Sequence, residues 1–115
     1  MTKRAPETAE LRRLRERIDA LDRQIVALLN ERAELAREAG LAKAAVGRRA
    51  IRDGEREREV LLRVTMANQG PLPQADVLAL YRRLMIATRA LETRDRDRDR
   101  TRDPDRAEPG PDDVD

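Results

Sequence analysis

The chain has 115 residues, of which 42% are charged, so it has room for one small domain. It contains no Cys, His, Trp, Phe or Ser, which excludes disulfides, Cys/His zinc sites, serine or cysteine nucleophiles and imidazole bases. An enzyme of this composition must act mainly by positioning its substrate and by electrostatics.

The net charge of +2 conceals two parts of opposite sign. Residues 94–115 carry 6 Arg against 9 Asp and Glu, which leaves 19 basic and 14 acidic residues in 1–93. A basic body favours an anionic partner, such as nucleic acid, a membrane surface or a small carboxylate or phosphate ligand. The first residues lack a signal peptide's apolar run, and no apolar stretch approaches the roughly 20 residues of a membrane span. We therefore expect a cytoplasmic protein.

A single long helix is predicted near the start of the chain. No proline occurs from position 7 to position 70, and apolar residues recur at three- and four-residue spacing over Leu11–Ala39. Thr8 is the predicted N-cap and Gly47 the predicted stop, which gives a helix of roughly 38 residues. So long a helix cannot bury its apolar face alone.

Two shorter helices are predicted to follow. The second begins after Asp53 as its cap and ends near Asn68, and the third begins after Pro73 and ends near Arg89. Each has a stripe of mainly apolar residues at helical spacing. In the second helix these are Val60, Leu61 and Val64, and in the third they are Val77, Leu80, Tyr81, Leu84, Met85, Thr88 and Leu91. No segment alternates like a strand, so the fold class is all-α with three helices per chain.

The chain divides by composition into an N-terminal extension (1–7), a helical domain (8–93) and a low-complexity tail (94–115). In the tail Arg and Asp alternate, and only Ala107 and Val114 are apolar enough to bury. We expect this tail to be disordered. Two alternatives stay open: opposite charges three residues apart extend the third helix by a turn or two, or the tail docks on a partner.

Two cations lie where the first helix should be apolar. At about 100° per residue, Arg32 and Lys43 both fall within the arc of its large apolar side chains. They are separated by three helical turns, or about 16 Å, so their side chains could bracket a small dianion. For either one alone, a core carboxylate partner or a head group that reaches solvent is the favoured explanation.

The second and third helices carry polar residues on their apolar faces too. Asp53, Arg56 and Glu57 have i, i+3, i+4 spacing, and Thr88 and Glu92 continue the stripe of the third helix. Taken separately, Asp53 is explained as a helix cap, Arg56 and Glu57 as part of a solvated charge run, and Glu92 as a frayed helix end. Together with the two cations they predict an internal polar pocket for a ligand with two negative charges.

Arg15 lies near the same face of the first helix, but 28 residues before Lys43, which is about 42 Å. It cannot reach the same ligand within one chain. If Arg15 serves a pocket, that pocket belongs to a second copy in an intertwined dimer with two equivalent sites.

Three segments, Leu14–Lys43, Ile51–Glu59 and Asn68–Glu92, resemble the all-helical chorismate mutases in order and spacing. The resemblance covers nearly all of residues 8–93, which would be the chorismate mutase domain, and does not cover the tail. It implies an intertwined helical homodimer that converts chorismate to prephenate, in phenylalanine and tyrosine biosynthesis, without a cofactor or metal. Since no dehydratase, dehydrogenase or regulatory domain is fused to it, we expect a monofunctional enzyme.

The resemblance also implies the roles of the catalytic residues. Arg32 and Arg15 of the partner subunit would bind the two substrate carboxylates. Lys43 would contact the ether oxygen, where negative charge grows as the C–O bond breaks. Glu92 lies at a position that is Gln in some members of the family and Glu in others. To donate a hydrogen bond to the ether oxygen, Glu92 must be protonated, and burial near substrate carboxylates should raise its pKa.

The remaining positions are implied to bind the substrate. Glu57 and the backbone at Asp53 would hold the ring hydroxyl, and Arg56 would support the carboxylate site. Thr88 would take the place of a Ser or Thr that contacts a carboxylate.

Three other functions stay open on the sequence alone. Isochorismate pyruvate lyases share the helical architecture, although Glu57, placed for a ring hydroxyl, favours the mutase. A helical dimer could also act by docking on another enzyme of aromatic biosynthesis. Nucleic-acid binding is disfavoured, because the unusual cations face the core and the chain offers no aromatic platform for stacking bases.

Overall fold

A computed structural model of the chain describes residues 5–47 and 53–102. Within these ranges it contains three α-helices and no strand: α1 (Ala9–Ala45), α2 (Gly54–Ala67) and α3 (Gln74–Arg102). The predicted all-α class with three helices is confirmed for this part of the chain. The chain divides into two compact units, Met1–Leu35 and Ala36–Asp115, which are described separately below.

The first unit contains the start of α1. The hydroxyl oxygen of Thr8 accepts a hydrogen bond from the Leu11 N–H at 3.1 Å, and its carbonyl accepts one from the Arg12 N–H at 3.0 Å. The first bond satisfies an N–H group that a helix start leaves without a partner, and the second is the first regular bond of the helix, so the predicted N-cap is confirmed.

The apolar stripe of α1 is exposed in the single chain. No residue of α1 is buried, and the large apolar side chains of α1 that lie in the first unit are 39% to 62% exposed. They are Leu11, Leu14, Ile18, Leu21, Ile25, Val26, Leu28, Leu29 and Leu35. A contiguous apolar face of this length is unusual for a monomeric protein.

The second unit begins with the last turns of α1. Gly47 has φ of 80°, and its N–H donates to the Ala44 carbonyl at 3.0 Å. A positive φ costs little for glycine and ends the helix. The predicted stop at Gly47 is therefore confirmed.

The ends of α2 are also as predicted. The Asp53 carboxylate accepts a hydrogen bond from the Arg56 N–H at 3.1 Å, as an N-cap does. At the other end the Asn68 N–H donates to the Val64 carbonyl at 3.0 Å. The short connection to α3 then contains Gly70, which has φ of 78°.

The core of the second unit lies between α2 and α3. Its buried residues are Val60 (9% exposed), Met85 (8%) and Thr88 (6%), and most of the other predicted stripe positions are half-buried. Leu80 differs from the prediction, since it is 64% exposed. It lies about 80° around α3 from Thr88, at the edge of the face that packs on α2.

Helix α3 continues further than expected. Disorder was predicted from residue 94 onward, but α3 extends to Arg102, as in the alternative of a helical extension. Residues three apart here carry opposite charges, and Asp95 forms an ion pair with Arg37 of α1. The rest of the predicted tail, 103–115, lies outside the described residues.

No helix in the described part of the chain is both long enough and apolar enough to cross a membrane.

Candidate active site

The predicted site residues are distributed over both compact units. Arg15 and Arg32 belong to the first unit, and the second unit contains Lys43, Asp53, Arg56, Glu57, Thr88 and Glu92.

Glu92 lies against α1 at a position without a side chain. A Cβ placed on Gly40 would be 3.5 Å from both Cγ and Cδ of Glu92. Lys43 follows Gly40 by three residues and so shares its side of α1. Burial raises the pKa of Glu92, and Asp95 raises it further, while the positive charges of Lys43 and Arg89 lower it; the net shift is upward. Glu92 therefore keeps its proton to a higher pH than an ordinary glutamate.

Glu57 is fixed between α2 and α3. Its Oε1 accepts a hydrogen bond from Nη1 of Arg89, and the two side chains are only 20% and 26% exposed. The sequence predicted a pocket role for Glu57 but none for Arg89. The available signal was the position of Arg89, directly after Thr88 and three residues before Glu92.

Thr88 is buried as the pocket prediction requires, but its hydroxyl already has an acceptor. Oγ1 of Thr88 donates to the Leu84 carbonyl at 2.9 Å. A hydroxyl has one proton to donate. The predicted contact with a substrate carboxylate therefore requires the hydroxyl to rotate away from that carbonyl.

Asp53 and Arg56 have structural partners in this chain. The Asp53 carboxylate caps α2, and its backbone carbonyl accepts a hydrogen bond from the Glu57 N–H at 3.0 Å; the predicted contact of its backbone with a ring hydroxyl stays a prediction. Arg56, 55% exposed, donates to Oε1 of Glu59 at 3.1 Å, and Arg63 contacts the same oxygen at 2.6 Å. The guanidinium of Arg56 thus belongs to an exposed ion-pair group on α2, and its substrate role stays a prediction.

In the first unit, Arg15 is exposed and Arg32 is half-buried. Arg15 donates to Oε1 of Glu7 at 2.7 Å, with 61% of its own side chain exposed. An exposed pair of this kind contributes little stability, so the guanidinium can exchange Glu7 for another anion. The part of Arg15 and Arg32 in the site stays a prediction.

A further ion pair joins α1 to α3 next to Glu92. Nε and Nη2 of Arg37 donate to the two carboxylate oxygens of Asp95, at 2.8 and 3.0 Å. This hydrogen-bonded guanidinium lowers the pKa of Asp95. Arg37 and Asp95 lie three residues from Gly40 and Glu92 respectively, so the ion pair holds α3 to α1 beside that contact.

The second unit thus combines the amine of Lys43, the carboxyl group of Glu92 with its raised pKa, and the carboxylate of Glu57 held by Arg89, on three different helices. This set suits a small oxygen-rich anion in which charge develops on one oxygen. Within residues 5–47 and 53–102, no three acidic side chains are grouped closely enough to hold a metal ion.

The chain is similar to known proteins in both sequence and structure. The family model for chorismate mutase type II matches residues 14–93, a range that includes every predicted site residue. A solved structure of chorismate mutase (form II) from Thermus thermophilus matches with a TM-score of 0.69 and 33% identity. That match covers 74% of this chain and 96% of the other.

Two curated relatives are bifunctional chorismate mutase/prephenate dehydratases. The protein from Aquifex aeolicus is 37% identical over 89 residues, or 74% of this chain. The protein from Neisseria gonorrhoeae is 42% identical over 78 residues, or 68% of this chain. The chain spans only 24% and 21% of the length of these relatives.

The three helices carry Lys43, Glu57 and Glu92, one on each, in an all-helical domain of the chorismate mutase type. The chain belongs to the chorismate mutase type II family. The resemblance predicted from the sequence is thereby confirmed.

Proposed function

We propose that this chain catalyses the rearrangement of chorismate to prephenate. The observation that carries the proposal is the position of Glu92, which lies over Gly40 with Lys43 on the same side of α1. The reaction breaks a C–O bond and forms a C–C bond within one molecule, so it needs neither a nucleophile nor a proton acceptor. It needs a compact substrate conformer and donors at the ether oxygen.

Lys43 and Glu92 supply those donors. The ammonium group of Lys43 carries positive charge, and a protonated Glu92 adds an O–H donor. Both interactions strengthen as negative charge grows on the ether oxygen, so they stabilise the transition state more than the substrate. Burial raises the pKa of Glu92, so its carboxyl group keeps its proton to a higher pH than an ordinary glutamate does.

The other residues hold the substrate in its reactive conformer. Glu57 and the backbone at Asp53 accept and donate hydrogen bonds at the ring hydroxyl, and Arg56 supports the carboxylate site. Thr88 contacts a carboxylate after its hydroxyl turns from Leu84. Arg32 binds one carboxylate of the substrate, as a guanidinium does with a planar anion.

The second carboxylate requires a second copy of the chain. We infer an intertwined homodimer in which each subunit donates Arg15 to the site of the other. The exposed apolar face of α1 supports this inference, because a second copy would cover it and remove its side chains from water. The exposed Arg15 would then exchange Glu7 for a substrate carboxylate.

The names of the relatives suggest the pathway to which the reaction belongs. Their names join chorismate mutase to prephenate dehydratase, so we propose a role in phenylalanine and tyrosine biosynthesis. An enzyme that consumes prephenate is the docking partner that this role suggests. The cytoplasmic location stays a prediction.

The test is the loss of chorismate with the purified chain, with the product identified as prephenate. We expect Lys43→Ala and Arg32→Ala each to lower kcat/KM by about a hundredfold or more, since each removes a charged contact to the substrate. Arg23→Ala is the matched control, because Arg23 is an exposed cation of α1 on the side opposite Leu14. Its rate should equal that of the unaltered chain.

The same preparations should be assayed with isochorismate. Prephenate from chorismate with no pyruvate from isochorismate supports the mutase. Pyruvate release alone would replace it with the lyase, and no turnover of either substrate would leave a docking module.

A further inference from the structure

Arg89 has a position that its sequence context does not explain. Near the end of a helix, a cation is stabilised by the helix dipole. Helix α3 continues to Arg102, so Arg89 lies well inside it and gains no such stabilisation. Its side chain is also only 26% exposed, which is low for a cation of an interior turn. Its neighbours must therefore account for it.

Those neighbours are two carboxyl groups of the proposed site. Nη1 of Arg89 donates to Oε1 of Glu57 on α2. The positive charge of Arg89 also acts on Glu92, which follows it by three residues on α3. One guanidinium thus faces both the group assigned to the ring hydroxyl and the group assigned to the ether oxygen.

We propose that Arg89 is a positioning residue, which fixes the Glu57 carboxylate against α3 and places a positive charge beside Glu92. The proposal rests on the proposed function for the roles of those two carboxyl groups. Because Arg89 holds Oε1 of Glu57, the carboxylate keeps one orientation in which it can accept the hydrogen bond of a ring hydroxyl. A pre-oriented carboxylate loses less conformational freedom on binding than one that must be ordered.

The second consequence concerns pH. The groups that act on Glu92 are Lys43 from α1, and Arg89 and Asp95 from its own helix. Glu57, on α2, is reached through Arg89. A cation favours the ionised carboxylate, so removing Arg89 raises the pKa of Glu92. Glu92 then stays protonated, and active as a donor, to a higher pH than in the unaltered chain.

The experiment compares kcat and KM for chorismate across a pH series in Arg89→Met, Arg89→Lys and the unaltered chain. Arg89→Met should raise KM about fivefold to tenfold, because Glu57 loses a charge-assisted hydrogen bond that orients it. It should also move the fall in kcat to higher pH. Arg89→Lys should raise KM while keeping the pH profile near that of the unaltered chain, since it retains the charge.

Two background variants separate positioning from direct binding. In Glu57→Gln, the further change Arg89→Met should add little to KM, since Arg89 acts through Glu57. In Glu92→Gln there is no ionisation at position 92 for Arg89→Met to shift. Glu92→Gln and the double variant Glu92→Gln/Arg89→Met should therefore give the same pH profile. Arg83→Met is the matched control, an exposed arginine of α3, and should change neither quantity.

A readout without substrate keeps the test independent of activity. Thermal unfolding of the Arg89→Met and Glu57→Gln single and double variants should be non-additive, because the two side chains are hydrogen-bonded partners. If Arg89→Met does not fold, Arg89→Gln replaces it throughout. The proposal for Arg89, but not the proposed function, would be overturned by two results together. The stability changes of the two single variants would be additive, and Arg89→Met would keep the KM and pH profile of the unaltered chain. An unaltered chain that does not consume chorismate, while the unfolding cycle is non-additive, would instead overturn the proposed function.

Discussion

At the residue scale, Glu92 determines the pH dependence of the proposed reaction. Its carboxyl group acts as a donor only when protonated, so turnover should fall as pH rises through its raised pKa. Glu92→Gln donates an amide N–H at every pH, and its profile should be flat between about pH 5 and pH 8. Initial rates with saturating chorismate measure both. A rate of the unaltered chain that does not change over this range contradicts the donor role.

Gly40 controls the space that Glu92 occupies. An added Cβ would be 3.5 Å from the Glu92 side chain, an ordinary van der Waals contact. Gly40→Ala should therefore keep kcat within about twofold, and raise the free energy of unfolding by about 1 kcal/mol through helix propensity. The branched side chain of Gly40→Val would displace Glu92 and lower kcat by about tenfold or more. Equal rates for the two variants would show that this contact is not needed.

Some residues of the site were predictable and others were not. Lys43, Glu57 and Glu92 are found in the sequence because each interrupts an apolar stripe of its own helix. Arg89 and the Arg37–Asp95 ion pair were missed, because their meaning depends on a partner on a different helix. A helical repeat shows where a side chain points, but not what it meets there.

At the element scale, the helix ends were predictable because they depend on local contacts. Thr8, Gly47 and Asp53 each satisfy backbone groups within a few residues of themselves. The end of α3 was not predictable in the same way. Its Arg–Asp alternation places opposite charges three residues apart but like charges four residues apart, so local pairing is ambiguous. Asp95 contacts Arg37, which belongs to another helix, α1, so the sequence of α3 alone does not show this contact.

The cap of α2 gives a test of stability. Asp53→Ala removes the acceptor of the Arg56 N–H and should lower the free energy of unfolding by about 1 kcal/mol. For a domain of this size that lowers Tm by roughly 4–8 °C. Asp53→Asn keeps a side-chain oxygen at the cap and should unfold near the unaltered Tm. Thermal melts followed by circular dichroism compare the three, and an unchanged Tm in the alanine variant would contradict the assignment.

The Arg37–Asp95 ion pair makes stability depend on pH. The Arg37 guanidinium lowers the pKa of Asp95 in the folded chain. Its stabilising effect is therefore present above the unfolded-state pKa of Asp95 and is lost as pH falls through the lowered folded-state pKa. Asp95→Asn should lower Tm at neutral pH and leave it unchanged once the unaltered chain is also protonated at Asp95. A Tm difference that stays constant over the acid range would rule out this linkage.

At the scale of the whole molecule, the single chain leaves its longest apolar surface uncovered. The stripe from Leu11 to Leu35 is exposed along α1, and the sequence already indicated that so long a helix needs a partner. What the sequence could not supply is the partner's residues, since only Arg15 indicates a shared site. The dimer and the shared site are therefore one claim with two observable parts, assembly and activity.

Mixing two inactive variants tests that claim most directly. Arg15→Ala and Lys43→Ala should each be nearly inactive alone. After subunits exchange in a 1:1 mixture, half of the dimers are mixed, and each mixed dimer has one site with both residues intact. Chorismate turnover should then recover to about a quarter of that of the unaltered protein. A mixture of Lys43→Ala with Arg32→Ala is the control and should stay inactive, because both residues belong to the same subunit's site. No recovery in the first mixture, with exchange verified by sedimentation of tagged subunits, would contradict a site shared between two chains.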